Sequence, residues 1–575
     1  MNKDIEIIRH SLAHILAIAV KEMYDDVKLG VGPAIENGFY YDFDFGNAQI
    51  ALDDLPKIEK KMKEIVKRKI AFEKIDLPKE EARKVFANEK YKLELIDELV
   101  DGEITGYQTG EFIDLCKGPH VDNTGEINID GFTLIRTSGA YWRGSEKNKM
   151  LARIYGVAFA TKEELEKYLE MMKEAEKRDH KKLGKELDLF SFHPEAPGSV
   201  YWHPKGMILW DCLEKFGQLI RKEHGYIKIK TPQMAKNSLW ITSGHWDHYK
   251  EDMFVFDVDK ETYCLKPMDC PFNIQIFQTK QRSYRDLPIR YTEIGHVMRN
   301  EKSGQLNGMF RVREITQDDS HVFLREDQIE KEISSLIEMV QEYYSALNIV
   351  PNFFLSTRPD DFMGEIETWD KAEQDLKNVL KQNGISDYGL KEKDGAFYGP
   401  KIDINISDAL GRSWQVATIQ LDFQLPGKFG CEYIDEAGER KVPVMLHAAI
   451  FGSFERMIGI LIEHCAGALP LWMSPVQIRV VPVSENQIDY AKEVADGLKD
   501  FRIEIDMDSQ TIGKKIREAE MQKIPYILVV GEKEKGNKTI SVRKRGQQEL
   551  GEMKIEEFIK ILEENKSADK LINKL

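Results

Sequence analysis

One run, EIGHVMRNEKSGQLNGMFRVREITQDDSH from Glu293 to His321, constrains this chain more than any other. It reads as strand, loop, strand. Lys302, Ser303, Gly304 and the pair Asn307-Gly308 mark the loop, and Val312, Ile315, Val322 and Phe323 put a second strand from near Met309 onward. Strand side chains alternate between faces, so Arg311, Arg313, Gln317, Asp319 and His321 fall on one face, and Arg299 and Glu301 share a face of the first strand. Burying that much charge unpaired costs too much for a plain core. The face is either solvated or a site, and antiparallel sheets allow both.

Two more stretches bear on that choice. CLKPMDCPFNIQIF spans Cys264 to Phe277. VMLHAAIFGSFERMIGILIEH spans Val444 to His464, an apolar strand reaching Gly452, then Ser453-Phe454-Glu455-Arg456 opening an amphipathic helix. Together the three resemble class II aminoacyl-tRNA synthetases. R-N-E, the loop and R-V-R-E-I-T-Q-D-D-S-H are similar to motif 2, and G-S-F-E-R to motif 3. K-P-M-x-C-P, the Q-D-D-x-H strand and the L-H before motif 3 resemble the threonyl-tRNA synthetases in particular, and the resemblance runs from His10 to near the C-terminus. HGYIKIKTPQM, His224 to Met234, is similar to motif 1, a helix feeding a long strand that ends at Pro232, which in class II enzymes builds the dimer interface.

The implied fold is an α+β multidomain chain. Its centre is a class II antiparallel sheet flanked by helices (188–470), preceded by an α+β editing domain (1–160) and a connecting helix (161–187) and followed by an α/β anticodon-binding domain (474–575). Length agrees, since roughly 100–200 residues per domain makes 575 residues several domains. The family's usual N-terminal ubiquitin-like module is not found ahead of His10. Phe272-Asn273 also departs from the family's small-residue-then-His pattern after Cys270-Pro271. The net charge of -16 argues against a nucleic-acid coat over the whole surface, but not against a local basic patch. Six cysteines without a CxxC pair are no disulfide scaffold and fit a reducing, cytoplasmic setting. No apolar run reaches the roughly 18–20 residues of a membrane helix.

Toward the N-terminus, Ile5 to Met23 has helical apolar spacing and places His10 and His14 on adjacent turns of one face. DLCKGPH later places Cys116 and His120 four apart. Four nitrogen and sulfur donors are metal-site arithmetic, while for the histidine pair taken alone two core histidines beside an unrelated turn is the favoured reading. The resemblance implies the editing site shared by threonyl- and alanyl-tRNA synthetases. There His10, His14, Cys116 and His120, with Lys92 and Asp114, position a water against the ester of mischarged tRNA, without tightly bound metal in the threonyl family. A-Y-W-R-G, ending Tyr141-Trp142-Arg143-Gly144, matches that family too, with packing the plain alternative. Thr161 to Leu187 reads as one solvated helix with Thr161 and Glu164 forming a capping box. Arg178, His180, Lys181 and Lys182 read as part of its solvated face, with contact to RNA backbone the alternative.

For the central domain the resemblance implies activation of L-threonine by ATP, then transfer to tRNA(Thr), by a homodimer. Arg299 would hold the amino-acid carboxylate and α-phosphate, Glu301 the adenine amino group, Arg311 the phosphates and Arg456 the γ-phosphate end, with Mg²⁺ accompanying ATP. Cys270, His321 and His447 would bind one Zn²⁺ per subunit, leaving a position for substrate. Gln317, Asp319, Tyr398 and Gln420 would surround the threonine. After residue 474, alternating strand and helix patterns predict a mixed sheet. There Lys514, Lys515, Arg517, Arg543, Lys544 and Arg545 would supply positive surface, and Glu534 and Arg543 anticodon contacts. The Cys270/His321/His447 set with Asp319 separates this reading from a prolyl or seryl enzyme. Retention of Arg299, Arg456 and those ligands separates it from the alternative, a non-catalytic RNA-binding or translational-control paralogue.

Overall fold

A computed structural model describes residues 3–565 apart from 47, 49, 101 and 103. It divides into two compact units, 1–173 and 174–575.

In the first unit, helix α1 (Lys3–Met23) is buried along one continuous stretch, with Leu12, Ile15, Leu16 and Ala19 fully inaccessible. It packs on the helix Leu55–Lys67 and on an antiparallel sheet ordered Lys28–Leu29, Gly38–Asp44, Met150–Ala158, Phe132–Tyr141. A second sheet, Glu73–Asp76, Thr105–Thr109 and Phe112–Leu115, delivers Asp114 to His14 and Cys116 to His10 of α1. Trp142 is a packing residue, buried with its indole N–H donated to Glu94.

The expected single connecting helix is two. α2 (Lys162–Arg178) ends before Asp179, whose backbone leaves the helix and whose carboxylate caps α3 (His180–Glu186) by accepting the Lys181 N–H at 2.7 Å. The Thr161–Glu164 capping box forms at 3.2 and 3.4 Å. His180 is not on a solvated face: its side chain is buried against Glu463.

An eight-stranded sheet organises the second unit. Its strands are β1 (Ile227–Lys228), β2 (Ile289–Met298), β3 (Glu314–Leu324), β4 (Pro351–Ser356), β5 (Gly389–Lys391), β6 (Lys401–Ser407), β7 (Ser413–Asp422) and β8 (Val444–Ser453). They lie in the order β1-β2-β3-β8-β7-β6-β4-β5, antiparallel except at the β1/β2 and β4/β5 edges. β8 is buried along its first eight residues, which explains its continuous apolar run. Helices α4 (Pro204–Glu223), α5 (Cys270–Phe277), α6 (Ile329–Ala346) and α7 (Phe454–His464) accompany the sheet, and α4, α6 and α7 pack into its main core.

Two strand expectations change. The motif 1 strand is short: only Ile227–Lys228 pair with β2, extended by Ile229 N–H to Thr292 O at 2.9 Å, because this edge has one neighbour. β3 begins at Glu314 rather than near Met309. Residues 307–311 close a tight turn instead, with Asn307 N–H on Arg311 O and Gly308 at φ 51°.

The C-terminal sheet runs Ile503–Ile505, Ile478–Pro482, Tyr526–Val530, Ile540–Lys544, Gln548–Met553, its first three strands parallel and the last two antiparallel. It is the expected mixed α/β arrangement. Lys515 does not contribute positive surface: it is buried, paired with Asp506. Arg545 is spent on the carbonyls of Lys523 and Leu469. Among the described residues no helix is long and apolar enough to cross a membrane.

Candidate active sites

The site in the second unit is laid across three neighbouring strands. Register pairs His321 of β3 with His447 of β8, and His447 with Gln420 of β7. In the adjoining row Asp319 faces Ala449, which faces Thr418. Ala449 is the small residue that leaves a floor. A bulge between Gln317 and Asp319 is filled by the Asp318 carboxylate, which accepts the N–H groups of Ile450 and Phe451 and an Arg221 N–H at 2.7 Å. Asp318 therefore belongs to the core, while Gln317, Asp319 and His321 face the site.

Above this floor lies a cleft of about 480 Å³ lined by Arg299, Glu301, Arg311, Gln317, Gln420 and Arg456, among others. Arg299 donates to Pro267 O at 3.4 Å and lies over the Tyr249 ring. Arg311 is paired with Glu301 at 2.8 Å. Arg456, on the first turn of α7, donates to Phe310 O at 3.1 and 3.0 Å and to Gln415 O at 3.2 Å. Burial, and then repulsion from Arg299 and Arg311, lowers its pKa from the usual arginine value. Three guanidinium groups repelling one another in one cleft form a receptor for a polyanion.

Beyond Gln420, the thiol of Cys270 and the rings of His321 and His447 bring one ligand atom each within 4.8 Å of one another. His447 Nε2 donates to Asp422 at 2.9 Å, which leaves Nδ1 as its free donor atom. Tyr398 stacks on His447 at 5.0 Å and donates to Gln420 Oε1 at 2.6 Å. Burial, then Asp319, pushes the Cys270 thiol well up, and burial pushes His321 well down. Burial, then Asp269 and Glu293, pushes Asp319 well up. Four carboxylates (Asp269, Glu293, Asp319, Asp422) share this region with one buried ammonium, Lys266, which lies 2.5 Å from Asp269. Two imidazoles and a thiol with carboxylates close behind them are a donor set that fits a divalent soft metal ion.

The first unit brings His10, His14, Cys116 and His120 together, again with ligand atoms within 4.8 Å. His10 Nδ1 faces Pro119 O at 3.2 Å, so it carries the proton. Ser11 donates its hydroxyl to Ile7 O, so His120 Nδ1 donates to Ser11 Oγ at 3.1 Å. Both rings then turn bare Nε2 atoms toward Cys116 Sγ, at 3.2 and 3.3 Å. Burial lowers His10 and His14, and takes His120 down to about 2. Lys92 lies 2.6 Å from Asp114, both fully buried, and the Tyr41 hydroxyl donates to Asp114 at 2.6 Å.

Family models match all three regions. The tRNA synthetase class II core domain (G, H, P, S and T) matches residues 251–465, the anticodon binding domain 477–565, and the threonyl and alanyl tRNA synthetase second additional domain 104–155. The threonine–tRNA ligase of Acetivibrio thermocellus is 50% identical over 556 residues, 96% of this chain and 87% of that protein. The chain belongs to the threonine–tRNA ligase family. The Thermotoga maritima ligase agrees, 48% identical across 98% of this chain and 89% of its own. Among solved structures, the RNA binding domain of threonyl-tRNA synthetase from Cryptosporidium parvum covers 67% of this chain and 98% of its own at 40% identity and a TM-score of 0.64. A Giardia lamblia prolyl-tRNA synthetase, at 17% identity and 0.55, covers 69% and 79% and shares the fold alone.

Sequence reasoning missed Asp422, Tyr41 and the Lys266–Asp269–Glu293 cluster. Asp422 had a signal: it sits two residues beyond Gln420 on the same face of β7. Tyr41 had only strand parity to recommend it. Of the anticodon candidates, Glu534 accepts the Gly531 N–H as a helix cap and Arg543 pairs with Glu549, both within the C-terminal sheet region.

Proposed function

We propose that the chain is a threonine–tRNA ligase working in the cytoplasm as a homodimer. The reading rests on one observation: Arg299, Arg311 and Arg456 converge on a cleft whose floor continues into Cys270, His321 and His447. An oxygen of the threonine carboxylate attacks the α-phosphorus of ATP, and the bond to pyrophosphate breaks. Arg299 holds carboxylate and α-phosphate together and steadies the charge that builds there. Glu301, released from Arg311, takes the adenine amino group. Arg311 and Arg456 hold the outer phosphates, with Mg²⁺ arriving on the nucleotide.

Cys270, His321 and His447 would hold one zinc ion per subunit, and a bound zinc would supply Lewis-acid chemistry toward the amino acid. Asp319 accepts from the threonine hydroxyl, with Gln317, Tyr398 and Gln420 around it. Valine lacks the hydroxyl and leaves those groups unpaired, whereas serine lacks only a methyl, worth roughly 1–3 kcal/mol. Discrimination that small calls for a second site, and hydrolysis of seryl-tRNA(Thr) falls to His10, His14, Cys116 and His120 with Lys92 and Asp114. The bare Nε2 atoms of His10 and His120 are acceptors for the attacking water.

ATP–pyrophosphate exchange with threonine, serine, valine and proline tests this. Strong exchange with threonine, leakage with serine and none with valine or proline is expected. A folded, zinc-loaded chain that exchanges with none of them would overturn it.

A further inference from the structure

His180 is the first residue of α3, far in sequence from both motifs, yet its side chain is 1% exposed and fully engaged. Its Nδ1 lies 2.7 Å from Glu463 Oε1, at the end of α7, and the same oxygen accepts the His180 backbone N–H at 3.0 Å. Its Nε2 accepts the Met309 backbone N–H at 3.0 Å. A ring that donates through Nδ1 and accepts through Nε2 is the neutral Nδ1–H tautomer. Room for it exists only because residue 308 is glycine: a Cβ there would stand 2.3 Å from Nε2.

The turn it holds matters more than the ring. One residue past Met309, the Phe310 carbonyl accepts two hydrogen bonds from Arg456, and the Phe310 ring lies 4.3 Å from both His180 and Trp414. The turn is therefore slung between His180 on one side and Arg456 on the other. Glu463, which anchors His180, is fixed in turn by Arg412.

We propose that His180 is a positioning residue for the ATP end of activation. It sets the 307–311 turn so that the Phe310 carbonyl holds the Arg456 fork in the cleft. This rests on the activation chemistry proposed above, and it predicts an effect on ATP rather than on threonine.

The test is ATP–pyrophosphate exchange with KM measured separately for ATP and threonine, on wild type, His180→Ala, His180→Gln and Gly308→Ala, alongside each unfolding midpoint. Expected is a rise of about tenfold or more in the ATP KM of His180→Ala, with the threonine KM within about twofold. His180→Gln, whose amide accepts from Met309 and donates to Glu463, returns toward wild type. Gly308→Ala, whose Cβ presses on His180 Nε2 and whose backbone is strained at φ 51°, disturbs the same turn and repeats the ATP-selective loss. An unchanged ATP KM there counts against the proposal even if His180→Ala does not fold. Equal losses for both substrates, or an unchanged ATP KM in Gly308→Ala, would overturn the role of His180. A wild-type chain without exchange would overturn the activation reading itself.

Discussion

Each unit gathers histidines around a cysteine, and the two gatherings differ in the charge that surrounds them. At His10, His14, Cys116 and His120 the one buried carboxylate, Asp114, is answered by one buried ammonium, Lys92. His10 and His120 are backed by a carbonyl and a hydroxyl, His14 lies 3.7 Å from Asp114, and burial lowers the pKa of all three. At Cys270, His321 and His447, Asp269 and Glu293 share one ammonium, Lys266, and press on Asp319, while Asp422 backs His447 directly. A buried region tolerates little net charge, so the surroundings of the second cluster suit a cation better than those of the first. Donor identity alone does not separate them; the charge one shell out does.

The sharpest test of that contrast is metal content. Cys270→Ser should lose one zinc per chain and threonine-dependent exchange by more than about a hundredfold, beyond what outer-shell changes cost. Cys116→Ser should leave the zinc count unchanged by atomic absorption, and a drop there would break the comparison. Next in size, Lys92→Met strands a buried carboxylate and should cost about 3–5 kcal/mol of first-unit stability in urea unfolding. A smaller loss would mean that the Tyr41 hydroxyl and the Leu115 N–H carry the Asp114 carboxylate without Lys92. Asp422→Asn keeps the shape but not the charge behind His447, and zinc affinity should weaken about 10–100-fold in a competition titration with a chelator.

The smallest effect is in pH. His10, His14 and His120 all titrate below the ordinary 6.5 when folded, so the unfolded chain binds more protons in acid. Their contribution to stability is complete above that value and is lost as pH falls below it. Hydrogen exchange corrected for intrinsic rates should show α1 losing protection between about pH 6.5 and 5. In the zinc-loaded chain β3 and β8 should keep theirs, since a bound ion occupies the nitrogens that would take the proton. Equal losses in both places would erase the distinction.

Much of this was legible in one sequence, and what was not has a common cause. Strand parity put Gln317, Asp319 and His321 on one face, and α1 carries its histidines as the i, i+4 spacing requires. Arg311-Val312-Arg313 imitates a strand, but Gly308 and the Asn307–Arg311 turn divert the chain before any ladder forms. The motif 1 run has strand-forming residues, yet pairing is a property of neighbours, and β1 has one. His180 sits among lysines and arginines that speak for solvent; its burial is set by Glu463, 283 residues later. Asp422 backs His447 across 25 residues. Local pattern carries the elements, and the partners that tune a side chain come from elsewhere in the chain.

The placement of β8 has a consequence for synthesis. In the sheet it lies between β3 and β7, but it is the last of the eight strands in the sequence. Until residues 444–453 leave the ribosome, β3 and β7 each lack the neighbour that joins them, and the floor of the cleft lacks its middle strand. His321 waits for His447, and Asp318 for the two amides it will bind. Two open strand edges are then held apart while some 20 further residues are made after β7, the interval in which a nascent chain is most exposed to wrong pairing.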